Sequence, residues 1–260
     1  MIDERFSGIA RLYGTRAWER VRSGRVCVVG IGGVGSWTVE ALARSGVGHV
    51  TLVDLDDICV SNTNRQLHTT DATVGQSKVA AMAARARSIA PDCDVATVED
   101  FAVAETIDGI LEPGFDVVVD AIDDTRNKCR LIAACRERAV ACVVSGGAGG
   151  RRDPSRLSID DLARSGGDGL LRDVRRTLRR DFGFASDAPW GVAAVFSTER
   201  PVFPGADGEV CERPDGTSLR LDCATGFGTA SYVTGVVGLA AAGVAVDLLA
   251  GARRIEDVRS

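Results

Sequence analysis

The eight cysteines stand at 27, 59, 93, 129, 135, 142, 211 and 223, and no two of them form a C-x-x-C pair. A structural zinc site of the usual ligand spacing is therefore not expected. The cysteines are scattered, several inside apolar runs such as Val26-Cys27-Val28. That is the pattern of buried free thiols in a reducing compartment, and it points to a cytoplasmic protein. Met1 to Phe6 has neither a basic stretch nor an apolar core, so no secretory signal is expected there. There is no large charge excess: a net charge of −5 over 260 residues does not make the whole molecule attractive to polyanions, which leaves only a local basic patch for that purpose. No internal repeat and no low-complexity tract occur, which excludes a solenoid. Only one long apolar run is present, Tyr232 to Gly251, about as long as a bilayer is thick. Asp247 interrupts it, and Gly235, Gly238 and Gly243 dilute it. A buried helix, in the core or at a subunit interface, is expected in preference to a membrane span, with small residues allowing close helix approach.

The rest of the chain alternates short β-branched runs with helical stretches. Strands are expected at Arg25 to Val29, His49 to Leu55, Asp94 to Val98, Phe115 to Ile122 and Val140 to Ser145. Helices are expected at Ser36 to Arg44, Ser77 to Ile89 and Thr125 to Arg138. The Val-rich run ending at Asp120 reads as a strand covered on both faces. This alternation predicts an α/β fold with a doubly wound, mainly parallel, Rossmann-like sheet whose ligand lies beyond the strand C-termini. The 260 residues are read as one unit. Residues 1–150 form the nucleotide-binding core, 151–222 an insertion over the active face, and 223–260 a glycine-rich segment and terminal helix. Ala185 to Trp190 and Pro204 to Gly216 are turn-rich and are expected to be mobile surface loops.

Two motifs carry the chemistry. Gly30-Ile31-Gly32-Gly33-Val34-Gly35-Ser36 follows the first strand. Gly30, Gly32, Gly33 and Gly35 let the backbone turn tightly and approach phosphates, and the helix beginning near Ser36 aims free N–H groups at the same anion. A lone glycine fingerprint is a weak signal, but here a strand precedes it, a helix follows and an acid lies downstream. That acid is Asp54, placed to accept ribose hydroxyl bonds, with Asp56 sharing the task or orienting an arginine. The second motif, Asn62-Thr63-Asn64-Arg65-Gln66, brings Asn64, Arg65 and Gln66 to the same crevice. Arg65 offers a planar fork for phosphate oxygens, and Lys78 a point charge. Asp120 and Asp123 follow the fourth strand, where acids commonly hold Mg²⁺. Asp123 is read as the metal ligand and Asp120 as its support, and Asp124 is a possible helix cap. Together the motifs point to ATP used for chemistry. A dinucleotide oxidoreductase would use the glycine loop and Asp54 but leave Arg65, Lys78 and Asp123 idle.

These residues together resemble the ubiquitin-activating-enzyme-like adenylating superfamily over roughly Phe6 to Gly150. The resemblance implies that Arg65 and Lys78 bind phosphates, that Asp123 positions Mg²⁺, and that the protein is a homodimer in which an arginine such as Arg11 completes the partner's site. Further segments narrow the match to nearly the whole chain. Arg5-Phe6-Ser7-Gly8, Arg11-Leu12-Tyr13-Gly14, Gly146-Gly147-Ala148-Gly149-Gly150, Val195-Phe196-Ser197-Thr198-Glu199 and Asp222-Cys223-Ala224-Thr225-Gly226-Phe227-Gly228 resemble the tRNA threonylcarbamoyladenosine dehydratase branch. The missing C-x-x-C pairs agree with this, since the sulfur-carrier branch usually has two.

That branch implies ATP-driven activation of the threonylcarbamoyladenosine carboxylate in tRNA, followed by ring closure from within the same modification. It also implies possible dealings with cysteine desulfurase or sulfur-acceptor proteins. Cys223 is a candidate nucleophile by analogy with relatives that transfer ubiquitin-like proteins. Ring closure needs no covalent enzyme intermediate, so a structural or substrate-shaping role is read ahead of it. For the tRNA, Arg172, Arg175, Arg176, Arg179 and Arg180 fall at i, i+3, i+4, i+7 and i+8 on one expected helix and form a basic stripe. A charge run is usually just a solvated helix face. The alternatives are an adenylyltransferase for a sulfur-carrier protein ending in Gly-Gly and a non-catalytic partner of sulfur-trafficking proteins.

Overall fold

The structure is a computed structural model, and it describes residues 3–205, 208–212 and 227–252. Two helices, α1 (Ser7–Tyr13) and α2 (Thr15–Ser23), lead into the first parallel strands. In chain order these and their crossovers are β1 (Arg25–Val29), α3 (Gly35–Arg44), β2 (His49–Val53), α4 (Lys78–Ile89), β3 (Asp94–Val98), α5 (Ile107–Leu111), β4 (Val117–Asp120), α6 (Thr125–Glu137) and β5 (Ala141–Ser145). Then come β6 (Leu157–Asp161), α7 (Gly169–Asp181), β7 (Ala193–Ser197), the small hairpin β8 (Phe203–Pro204) and β9 (Val210–Cys211), and finally α8 (Ser231–Ala250).

The main sheet has the order β3-β2-β1-β4-β5-β7-β6. All neighbours run parallel except β6, which pairs antiparallel with β7 at the edge. The expected doubly wound sheet is thus observed, with strand ends that differ from the sequence reading by no more than two residues. Successive strand residues point to opposite faces, and each face has its own core. Val26, Val28, Leu52 and Val119 pack under α3, α4 and α8, whereas Cys27, Val118 and Val144 pack under α5, α6 and α7. Strand order reverses between β1 and β4, which opens the crevice where such sheets bind ligands.

Residues 157–197 differ from the expected insertion over the active face. β6 and β7 extend the sheet itself, and α7 is the crossover that buries Leu171, Val174 and Leu178 against α6. Their apolar residues are spent on the common core, which a mere cover would not need. The segment Ala185 to Trp190 is also pinned. Both Asp161 oxygens accept from the Trp190 amide at 3.0 Å, and the indole meets Phe184 edge-on at 4.9 Å. Part of Pro204 to Gly216 forms the β8–β9 hairpin.

The apolar helix α8 is a core element, as expected. It passes by length and composition for a membrane span, yet two-thirds of its most apolar window, 67%, is buried inside this fold. Glycine makes its closest contact possible. A Cβ at Gly238 would sit 2.4 Å from the Val34 carbonyl oxygen, and the Gly238 carbonyl accepts from Thr38 Oγ1 at 3.1 Å. Among the described cysteines, Cys27, Cys93, Cys129, Cys135 and Cys142 are buried free thiols. Burial pushes the Cys93 thiol up to about 11 and the Cys129 thiol up to about 12, so neither is a thiolate at neutral pH.

Candidate active site

The site lies beyond the C-terminal ends of β1, β2 and β4. After β1 the chain turns at Gly30, whose φ of +88° suits only glycine, and enters α3 at Gly35. A Cβ on Gly35 would fall 1.8 Å from the Gly30 carbonyl oxygen, so the helix can start this close to the loop only because Gly35 has no side chain. Gly33 lies beside Arg65 Cγ, and Gly32 faces Gln66 Nε2 at 3.8 Å from where its Cβ would be. The Gly30 amide bonds to the Val53 carbonyl, and the Ile31 amide to Asp54 Oδ2 at 2.6 Å. Among the described residues, the amides of Gly32, Gly33 and Val34 have no protein acceptor. Three consecutive free donors at the N-terminus of α3 form an anion cradle.

Ser36 has a task other than the expected one. Its amide already bonds to the Gly32 carbonyl and its fully buried hydroxyl accepts from the Leu67 amide at 3.2 Å. It fastens the Asn64–Gln66 segment to the loop, and the free donors lie just before it.

After β2, Asp54 is buried and its two oxygens accept from the amides of Ile31 and Asp56. Each oxygen keeps a further lone pair for a ribose hydroxyl. Lys78 starts α4 behind a Ser77 cap. It is buried and pairs with Asp56 at 2.7 Å, with Asp54 3.9 Å away. Arg65 is held through its carbonyl, which accepts from Trp37 Nε1 on α3 and Thr234 Oγ1 on α8, both at 3.2 Å. Its guanidinium donates to the Ser61 carbonyl and to Asn64 Oδ1. Asn64 Nδ2 in turn donates to the carbonyl and hydroxyl of Thr229. Among the described residues the Oε1 of buried Gln66 has no partner, which leaves an acceptor for a ligand.

After β4 the two acids part company. Asp120 is completely buried, and its Oδ1 accepts from Lys128 Nζ at 2.8 Å and from the Ile122 amide at 3.0 Å. Burial raises its pKa, and the Lys128 charge is the main force pulling it back. Asp123 is exposed at the crevice, and Asp124 caps α6 by accepting from the Asn127 amide. Among the described residues no three His, Cys, Asp or Glu side chains gather to hold a metal. An ion at Asp123 would take that one carboxylate and draw its other ligands from phosphate and water.

Two participants lie outside the sequence reading. Lys128 is fully buried, as is the Asp120 it pairs with. The signal was its position one turn before Ile132, on the apolar face of α6. His68, two residues beyond Gln66, is buried and donates from Nε2 to the Ile31 carbonyl at 2.8 Å. Burial lowers its pKa, against the bond to Ile31, so the ring is neutral.

The basic stripe divides. Arg172, Arg176 and Arg180 on α7 are exposed, with carboxylates of Asp173 or Asp181 beside them. Arg175 and Arg179 are partly buried, the first donating to Ser165 Oγ and the second lying over the Trp190 ring at 5.2 Å. Arg11 is exposed on α1, and Cys223 lies outside the described residues.

Residues 7–258 match the ThiF family model. The chain belongs to the ThiF family. This ThiF-family chain is 46% identical over 242 residues to the tRNA threonylcarbamoyladenosine dehydratase of Escherichia coli (strain K12), covering 92% of this chain and 90% of that one. It is 43% identical to the dehydratase of Haemophilus influenzae, over 95% of this chain and 94% of that one. Within the family it therefore groups with these dehydratases. The crystal structure of the E. coli enzyme in complex with ATP superposes with a TM-score of 0.85 at 41% identity, over 97% of this chain and 98% of the other.

Proposed function

We propose that this protein uses ATP to dehydrate threonylcarbamoyladenosine in tRNA, closing the modification into a ring. The observation that carries the reading is the row of unsatisfied amides at Gly32, Gly33 and Val34, facing a crevice shared with Arg65, Lys78 and Asp123. It supports phosphate binding in a chain nearly half identical to a named dehydratase. The ATP complex of that enzyme, whose fold this chain shares, supports ATP as the nucleotide.

The chemistry follows from the groups present. A carboxylate is a poor electrophile because its oxygen is a poor leaving group. Its attack on the α-phosphorus of ATP expels pyrophosphate and makes that oxygen the bridge of an acyl-AMP mixed anhydride, whose AMP is a good leaving group. The nucleophile tethered in the same modification then attacks the carbonyl carbon and the oxygen departs on AMP, so the nucleoside loses one water while ATP is converted to AMP and pyrophosphate. Tethering supplies much of the second step. The loop amides and Arg65 hold charge that grows on the phosphate oxygens, Asp54 takes the ribose, and Lys78 adds a point charge. Mg²⁺ held by Asp123 would neutralise phosphate charge. Arg172, Arg176 and Arg180 offer an exposed basic face to the tRNA backbone. We assign Cys223 a structural or substrate-shaping role in preference to a nucleophilic one. We also assign the protein a homodimeric state with Arg11 reaching the partner's site, and a cytoplasmic location. Activation of a sulfur-carrier protein, the rival chemistry, is disfavoured by the group of relatives this chain joins and by the missing C-x-x-C pairs.

The test is mass spectrometry of nucleosides from threonylcarbamoyladenosine-bearing tRNA incubated with the protein, ATP and Mg²⁺, with Asp123→Ala as control. Loss of one water that requires ATP and Asp123 is expected. An unchanged nucleoside from a protein that binds ATP would overturn the assignment.

A further inference from the structure

His68 plays no part in the chemistry above, yet it is 4% exposed beneath the glycine loop, and among the described residues its Nδ1 has no partner. A carbonyl oxygen cannot donate, so Nε2, which faces the Ile31 carbonyl at 2.8 Å, carries the ring proton. A single inward bond thus holds this side chain, and the bond ends on the loop that forms the anion cradle.

The consequence runs through one peptide plane. The Ile31 carbonyl and the Gly32 amide belong to the same planar trans peptide, so their C=O and N–H vectors point in opposite directions. Fixing the carbonyl inward fixes the Gly32 N–H outward, towards the crevice. The preceding peptide is set in the same manner, because Asp54 Oδ2 accepts the Ile31 N–H at 2.6 Å. Gly30 and Gly32, with no side chains of their own, give the loop little else to resist rotation of these planes. Ile31 itself is fully buried, which anchors the pivot. A hydrogen bond accepted at the carbonyl also polarises the peptide and strengthens its N–H as a donor.

We propose that His68 is a positioning residue for the phosphate-binding loop: its neutral Nε2–H, through the Ile31–Gly32 peptide, aims the Gly32 amide at the nucleotide phosphates. The inference rests on the ATP-binding reading above and adds a residue to it. His68 touches no substrate and acts only through the backbone.

Glutamine can place an N–H near the position of Nε2, whereas leucine fills a similar volume with no donor. His68→Gln, His68→Leu and His68→Ala are compared with the unmodified protein for the Kd of ATP and of adenosine by titration calorimetry, with thermal melting to establish folding. ATP should bind about five- to tenfold more weakly to the Leu and Ala variants, the factor a single hydrogen bond carries, and within about twofold of normal to the Gln variant. Adenosine, which lacks phosphates, should bind all four alike. Equal weakening of ATP and adenosine would reduce His68 to a packing residue and overturn the proposal. So would a Gln variant as weak as the Leu variant. If His68→Ala does not fold, the volume-matched Gln and Leu pair decides. Failure of the unmodified protein to bind ATP would instead strike the functional reading, not His68.

Discussion

Replacing Lys128 by methionine keeps the length of the side chain and removes its charge. Lys128 and Asp120 are both 0% exposed and 2.8 Å apart, so water cannot take the place of the lost partner. Breaking a buried pair from one side costs about 3–5 kcal/mol, because an uncompensated charge remains inside. In a chain of this size that corresponds to a fall in Tm of about 6–20 °C. The Lys128 ammonium also bonds to the Asp120 carbonyl at 3.1 Å, so the end of β4 loses a backbone contact as well.

The loss should depend on pH, in a direction that can be worked out. Burial already holds the Asp120 pKa above its ordinary value, and Lys128 is the main force lowering it. Without Lys128 it rises further. A folded state whose carboxyl pKa exceeds the unfolded one retains a proton that the unfolded chain has released. Raising the pH therefore draws the protein towards unfolding, and stability present below the unfolded pKa is lost as pH climbs through the folded one. Urea denaturation of Lys128→Met at pH 5 and pH 8 should show the larger deficit at pH 8. The double variant Asp120→Asn/Lys128→Met, with neither charge, should recover much of it. A deficit under about 1 kcal/mol, one equal at both pH values, or a double variant no better than the single one would refute the reasoning.

Two further predictions concern the helices on either side of the sheet. In α8, Gly238→Ala should destabilise by about 1–3 kcal/mol, because its Cβ would overlap the Val34 carbonyl and Trp37. Gly243→Ala, with nothing within 4 Å of the new Cβ, should instead stabilise by about 0.5–1 kcal/mol; equal signs in chemical denaturation would contradict the packing described. In α7, Arg172, Arg176 and Arg180 changed together to glutamine should raise the tRNA KM and lower the salt slope of binding by up to about 3, one per phosphate contact, while the ATP Kd stays put. Changing Arg175 and Arg179 should mainly lower Tm, since they serve Ser165 and the Trp190 ring. Unchanged tRNA kinetics in the triple variant would remove α7 from the interface.

The fold was legible because its signals are local. Strand β1 and the helix after it follow from a β-branched run and a glycine loop, and β4 from three consecutive valines before Asp120. The placement of β6 and β7 was not legible. Whether residues 157–197 cover a sheet or extend one depends on which edge they pair with, and hydrophobic period is the same in both cases. At the site, the motif residues were readable one by one, but their partners were not. Lys128 and His68 act through contacts eight residues from Asp120 and 37 from Ile31, and nothing in a charge or a ring on its own states its partner. Arg175 and Arg179 show the reverse. Their spacing put them in a stripe, and a neighbouring indole and hydroxyl drew them out of it.

Asp56 illustrates how a site for an anion remains intact without one. Lys78 is only 7% exposed, and a cation that buried needs a counter-charge. In the structure Asp56, itself about half exposed, supplies that charge at 2.7 Å, while Asp54 is engaged with two amides and stands 3.9 Å off. A phosphate that reaches Lys78 therefore competes with a carboxylate already in place. Its net gain is the difference between two ion pairs, smaller than either. Arg65, bonded to Ser61 and Asn64, presents the same exchange. The amides of Gly32, Gly33 and Val34 do not, since among the described residues none accepts from them. Affinity for the phosphates should accordingly depend more on the loop backbone than on the two conspicuous cations. The cations, released from their partners only when the nucleotide is in place, are better suited to the charge that develops during transfer.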